Sequence, residues 1–213
     1  DGLAVEQPRG AKREHAVAFQ GNYLSADGGF KADANVSRYV ARRLYFGPFY
    51  SPEGDLYRGT KDQANLNLSY NGGIWSSAAG GNWEEERTTQ ITDYSGDFIE
   101  KIDTKSAYGE LALRPIENLT ITGAARIDDN SRFGTFDTYR GTIAYVIPGA
   151  LGANSVKLRA SYGTGAKAPG LYQLFDPQYG DPDLQVETSR GGGIGVGIGF
   201  EPVTAQGSYF FGK

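Results

Sequence analysis

The chain has 213 residues, with 31 Gly, 14 Tyr, 11 Phe and 2 Trp, no Cys, no Met and a formal net charge of -4. Glycine at about twice its usual share, beside abundant aromatics, excludes a linker or a disordered tail, because disordered chains are poor in aromatics. The lack of cysteine excludes a disulfide scaffold and a thiolate site, the single histidine, His15, speaks against a multi-histidine metal centre, and the acidic balance speaks against a nucleic-acid partner.

Apolar residues recur with a period of two, which predicts strands throughout. In chain order they fall near 12–24, 33–46, 58–71, 74–87, 104–114, 118–130, 137–147, 154–164, 188–200 and 203–213. In the third, Leu66, Leu68 and Tyr70 share one face and Asn65, Asn67, Ser69 and Asn71 the other. In the sixth, Leu119, Ile121, Gly123, Ala125 and Ile127 oppose Thr120, Thr122, Ala124, Arg126 and Asp128. In the eighth, Val156, Leu158, Ala160 and Tyr162 oppose Lys157, Arg159 and Ser161. The ninth alternates Gly193, Gly195, Gly197 and Gly199 with Ile194, Val196, Ile198 and Phe200. No helix pattern follows these glycines, which excludes a phosphate loop.

Many of these strands exceed the usual length of about 5–6 residues and match the roughly 9–11 residues of a tilted transmembrane strand. No apolar run is long enough for a membrane helix. Connections at 25–32, 72–73, 115–117, 148–153 and 201–202 are the shorter set; those at 47–57, 88–103 and 165–187 are long, and 131–136 is modest. Outer-membrane barrels have this asymmetry, with short turns on one side and longer loops on the other. Trp75 and Trp83 have equal parity. They lie about 26 Å apart along a strand, or about 20 Å along the membrane normal at a 40° tilt, close to the spacing of two aromatic girdles. The expected fold is all-β, an antiparallel up-and-down meander of about ten long strands forming part of a transmembrane β-barrel.

The region from about 104 to 189 resembles TonB-dependent outer-membrane receptors. The residues that carry the resemblance are Leu111-Ala112-Leu113-Arg114-Pro115-Ile116-Glu117-Asn118-Leu119-Thr120, then Leu158-Arg159-Ala160-Ser161-Tyr162-Gly163-Thr164-Gly165, Lys167-Ala168-Pro169, Leu171-Tyr172-Gln173-Leu174 and 180–189. In the last stretch Asp181 stands where the family has Asn and Val186 where it has Pro. The resemblance implies a non-enzymatic receptor in the bacterial outer membrane, without a cofactor. It would take up a scarce nutrient complex, such as a siderophore-metal chelate or cobalamin, energised through TonB. It implies a 22-stranded barrel around a plug that contacts TonB, so residues 1–213 are expected to be a single partial barrel domain, an interior slice without the plug and the remaining strands. Outer-membrane lipid, the plug of the parent chain, TonB and a small nutrient ligand are the implied partners.

Parity places Glu110, Arg126, Arg140 and Arg159 toward the lumen, together with Gly193, Gly195, Gly197 and Gly199, where plug backbone could approach. Hairpin register is expected to bring Arg126 beside Arg140, so that three arginines form a basic ladder toward the plug. The extracellular loops carry the ligand candidates: Tyr45, Phe46, Phe49, Tyr50 and Tyr57 in one, and Tyr172, Phe175 and Tyr179 in another, with Asp176, Asp181 and Asp183 as conceivable calcium ligands. Trp75 and Trp83 are the girdle candidates. Two other readings stay open: a ten-stranded barrel protease of omptin type using His15 with Asp128 and Asp129, and a passive porin-like channel closed by ten strands.

Overall fold

The computed structural model describes residues 9–47, 50, 53–93, 96–200 and 202–213. They form one sheet of ten strands in sequential order: β1 (Arg9–Leu24), β2 (Phe30–Phe46), β3 (Asp55–Asn71), β4 (Trp75–Ile91), β5 (Phe98–Leu113), β6 (Leu119–Asn130), β7 (Gly134–Pro148), β8 (Ser155–Lys167), β9 (Glu187–Phe200) and β10 (Val203–Gly212). Every neighbouring pair is antiparallel. Among the described residues, β1 pairs only with β2 and β10 only with β9, so these ten strands form an open wall and do not close on themselves.

The pairing register carries one apolar face across the whole sheet. Val17 and Phe19 on β1, Phe30 and Val36 on β2, Leu66, Leu68 and Tyr70 on β3, and Trp75 and Trp83 on β4 share this face. It continues through Leu111 and Leu113, Ile121 and Ile127, Ile143 and Tyr145, Leu158, Ile194 and Val196, and Tyr209. Most of these side chains are exposed, and among the described residues no second layer covers them. In water such a face would drive association; against lipid acyl chains it is the expected surface of a barrel wall. The opposite face bears Lys61, Gln63, Asn65, Glu84, Ser106 and Arg126 and is polar.

Several strands are longer than the alternation predicted. β4 continues to Ile91 and β5 begins at Phe98, so the expected 88–103 loop is only the connection 92–97. The expected 47–57 loop shrinks to 47–54, 131–136 to 131–133, and 165–187 to 168–186. At these strand ends the apolar period does not continue. Backbone pairing continues past the point where the outer face stops being apolar. At the short-turn end, Gly73 at φ 83 and Asn118 at φ 66 hold left-handed turn positions, which glycine and asparagine tolerate.

Candidate functional site

The site lies on the polar face at the long-loop end. The connection between β8 and β9 contains a short helix, α1 (Leu171–Phe175), which contacts β4 and β5. Leu171 and Leu174 are buried against Ile102 of β5, with Phe133 and Phe175 packed around them. This small cluster is apolar on an otherwise polar face and holds the loop across the sheet.

Polar groups fasten the same loop. Gln90 Nε2 of β4 donates to Asp176 Oδ2 at 2.8 Å. The other carboxylate oxygen accepts from the backbone N–H groups of Gln178 at 3.0 Å and Tyr179 at 2.8 Å. Both Gln90 and Asp176 are buried. Beside them, Thr92 Oγ1 donates to Asp55 Oδ2 at 2.7 Å, and the Thr92 N–H donates to Asp97 at 2.9 Å. Arg132 caps the outside of the loop: it lies 4.8 Å from the Phe175 ring centre and donates to the Pro182 carbonyl at 2.7 Å. Asp181 takes the turn role of the absent Asn by accepting from the Asp183 N–H at 2.9 Å.

Three tyrosines meet around the connection 47–54. Tyr45 stacks on Tyr50 with ring centres 5.7 Å apart and meets the edge of Tyr57 at 5.9 Å. Burial, and then the negative charge of Asp55, push the Tyr57 hydroxyl above the usual tyrosine range, while its hydrogen bond with Thr92 opposes the shift. Tyr172 and Asp176 add to the same upward shift at Tyr57. Burial and then Asp176 also raise the Tyr172 hydroxyl. Tyr172 and Tyr179 remain well exposed, whereas Phe175 packs under Arg132 and into the leucine cluster. Phe46 lies over Gly54, and Phe49 lies outside the described residues. Asp176, Asp181 and Asp183 serve separate turn and latch contacts rather than a shared centre.

Glu110, Arg126, Arg140, Arg159 and the four glycines of β9 share the polar face, but the arginines are arranged differently from the expected ladder. Arg126 stands opposite Thr138, and Arg140 opposite Ala124, so the two arginines are diagonal rather than paired. Arg126 turns along its own strand to Asp128 at 2.7 Å and also donates to Ser106 at 2.7 Å and Asn82 at 3.3 Å. Arg159 reaches Ser208 of β10 at 2.7 Å. The expected ladder is therefore interrupted by local partners. Glu110 stands opposite Ala124. Arg159 also crosses Gly195, where a Cβ would stand 2.6 Å from its Nε, and Phe210 covers Gly193. Gly197 and Gly199 are more open.

The protease arrangement does not form. His15 shares the apolar face with Val17, while Asp128 is on the opposite face and bound to Arg126. Asp129 shares the face of His15, but five strand spacings, about 24 Å, separate β1 from β6. A general base must lie within hydrogen-bond reach of its partners.

The family model for the TonB dependent receptor-like β-barrel matches residues 7–212. The chain belongs to the TonB-dependent receptor β-barrel family. The fold is similar to the RagAB peptide transporter (TM-score 0.73, 15% identity, 96% of this chain and 30% of that one). It is also similar to the ferric enterobactin receptor PfeA of Pseudomonas aeruginosa in complex with enterobactin (TM-score 0.73, 17% identity, 95% and 35%). A third similar structure is the siderophore receptor PirA of Acinetobacter baumannii (TM-score 0.70, 16% identity, 95% and 35%). The chain thus spans about a third of the length of these structures, and at such identities the likeness is one of fold. TonB-dependent receptors are transporters rather than enzymes, and the barrel is of the bacterial outer-membrane class.

The latch residues Asp55, Gln90, Thr92 and Asp176 and the clasp residue Arg132 were not singled out as a group by sequence reasoning. One local signal was present: Asp176-Pro177-Gln178-Tyr179 is a sequence suited to an aspartate-initiated turn. The partners on β3 and β4 are far away in the chain and carry no such mark.

Proposed function

We propose that this chain is a wall section of an outer-membrane active-transport receptor, and that its extracellular mouth helps capture a scarce nutrient complex such as a siderophore-metal chelate or cobalamin. The observation that carries the reading is the cluster of Tyr45, Tyr50 and Tyr57 at the same end of a family barrel where the Gln90–Asp176 and Thr92–Asp55 hydrogen bonds fasten the α1 loop over the polar face. Tyrosines present flat apolar area with a polar tip, which suits a rigid chelate or corrin. Tyr172 and Tyr179 are the exposed members, and Phe49 belongs to the same proposal by sequence.

A sheet in lipid leaves no unpaired edge, so β1 and β10 pair with further strands in the complete receptor, a 22-stranded barrel around a plug. Glu110, Arg140, Gly197 and Gly199 face that plug, while Arg126, Arg159, Gly193 and Gly195 line the wall behind their local partners. Trp75 and Trp83 mark the membrane interfaces. TonB, acting through the plug, supplies the energy for release.

The test is uptake by cells whose only copy of the receptor is the full-length protein, with labelled ferric chelates and cobalamin offered separately. Saturable, TonB-dependent uptake of one of them, weakened by Tyr57→Ala and Tyr172→Ala, is the expected result. Unsaturable passage of small solutes regardless of TonB would refute it in favour of a passive channel.

A further inference from the structure

The polar face carries a second feature that ligand capture does not use. Three cations on β2, β3 and β6 of this face find carboxylates of the wall itself. Lys31 pairs with Asp33 at 3.0 Å, Lys61 with Glu84 and Glu86 at 2.7 and 2.9 Å, and Arg126 with Asp128 at 2.7 Å. Among the described residues, Arg140 on β7 and Lys157 and Arg159 on β8 have no carboxylate partner. From β7 to β10 the described polar face has one carboxylate, Glu187, which stands opposite Lys167 at the long-loop end. Glu110 is level with Arg140 but two strands away, with Ala124 between them, about 10 Å at the usual strand spacing.

The three cations line one cavity of about 330 Å³, together with Ser161, Ser208 and Phe210. Arg159 is held there by a neutral partner alone, the Ser208 hydroxyl at 2.7 Å. Phe210 rises at one edge and is 75% exposed. Lys157 and Arg159 are two and four residues from Ser155, the short-turn end of β8, so the cavity lies away from the mouth and its tyrosines. A barrel too wide to be filled by its own side chains holds a plug, and once the lumen is filled these cations leave bulk water. A charge that loses water without gaining a partner is strongly destabilising. Carboxylate is the partner suited to a guanidinium, through paired parallel hydrogen bonds. The wall around this cavity supplies none.

We infer that Arg140, Lys157 and Arg159 form a docking site for an acidic segment of the plug. Aspartate or glutamate carboxylates of that segment enter the cavity and meet the three cations, and an apolar neighbour packs on Phe210. Complementary charge of this kind fixes register as well as contact, so the site sets which side of the plug faces β7 and β8. The inference rests on the receptor reading, but it concerns how the plug is seated and not what the mouth captures.

The experiment uses the full-length receptor with a photoreactive amino acid in place of Thr142, which lines the cavity opposite Ser161. Mass spectrometry of the cross-linked product is expected to find a plug peptide with at least two Asp or Glu residues. Hydrogen exchange then follows that peptide. Its amides should exchange at least tenfold faster in the triple variant Arg140→Gln/Lys157→Gln/Arg159→Gln, while Arg140→Lys/Arg159→Lys should stay close to wild type. Amides paired between β7 and β8 are the control for a folded wall. Arg159→Glu should loosen the same peptide, and changing the cross-linked plug carboxylate to Lys should restore it. A cross-linked peptide without acidic residues, cross-links confined to the barrel, or equal exchange in wild type and the Gln variant would overturn the inference. So would unchanged plug exchange with weaker uptake by the Gln variant, which would assign the cations to an anionic solute in transit. Binding of ferric chelates and cobalamin, measured on the same variants, should not change. A receptor that binds neither of them but holds an acidic plug peptide here would refute only the reading of the mouth.

Discussion

Leu174→Ala is the sharpest probe of the mouth. Leu174 is 1% exposed and packs with Leu171 and Ile102, with Phe133 and Phe175 around them. Leu→Ala substitutions in cores cost about 2–5 kcal/mol, less where the surroundings can collapse. A cluster this small, under a single loop, belongs at the low end, about 2–3 kcal/mol. With tenfold per 1.4 kcal/mol, loop opening becomes about 30–150 times more frequent. Hydrogen exchange reads this directly. The amides of Leu174, Asp176, Gly180 and Asp181 donate to Gly170, Tyr172, Asp176 and Gln173 within the loop, and their protection should fall together by that factor. Amides paired between β8 and β9 from Ser155 to Ala160 should not change. Ligand affinity should fall only when opening becomes a substantial fraction of the population, since apparent affinity scales with the competent fraction. Unchanged protection in the loop, or an equal loss along β8 and β9, would refute the claim that the leucine cluster holds the loop as a local unit.

Three further perturbations test other parts of the wall. Gly80→Ala would place a Cβ 2.5 Å from the Leu66 carbonyl oxygen and against the Tyr108 hydroxyl; overpacking of this kind costs about 1–3 kcal/mol. Urea unfolding of the refolded barrel should show that loss, whereas Gly123→Ala, with nothing within 4 Å, should be close to neutral. Arg126→Met leaves the buried Asp128 carboxylate with Ser106 as its neutral partner. Removing one member of a buried pair costs about 3–5 kcal/mol, and because the Arg126 side chain is 41% exposed the expected loss is about 1–3 kcal/mol after screening. Arg126→Met combined with Asp128→Leu should recover most of it, and no recovery would show that the pair is not the source. Tyr57 and Tyr172 are raised in the folded mouth. Their contribution is therefore fully present below the unfolded tyrosine value of about 10 and is lost as pH rises through the folded values. Absorbance titration should show late-ionising phenols, of which Tyr57→Phe and Tyr172→Phe should each remove one.

The meander could be read from parity because each strand must keep one face in lipid for its whole crossing. Leu66, Leu68 and Tyr70 set the register of β3, and a slip of one residue would turn all three inward. That constraint ends where the apolar band ends. Above it, Thr88 to Gln90 and Phe98 to Lys101 continue pairing as strand with no apolar period, so the boundaries of the 92–97 connection were not visible. The mouth was half legible for the same reason. Aromatic residues at loop edges announced Tyr45, Tyr57 and Tyr172. The contacts that position them join Asp55, Gln90, Thr92 and Asp176, polar residues of three distant segments, and no spacing rule links residues 55, 90 and 176. A row of arginines on the opposite face shows the converse. Arg13, Arg42 and Arg58 are unremarkable singly, and only the register of β1, β2 and β3 brings them into line. Polar residues above the band are thus read from pairing rather than from pattern, and in this wall they include both the latch on the polar face at the long-loop end and the charged row on the opposite face.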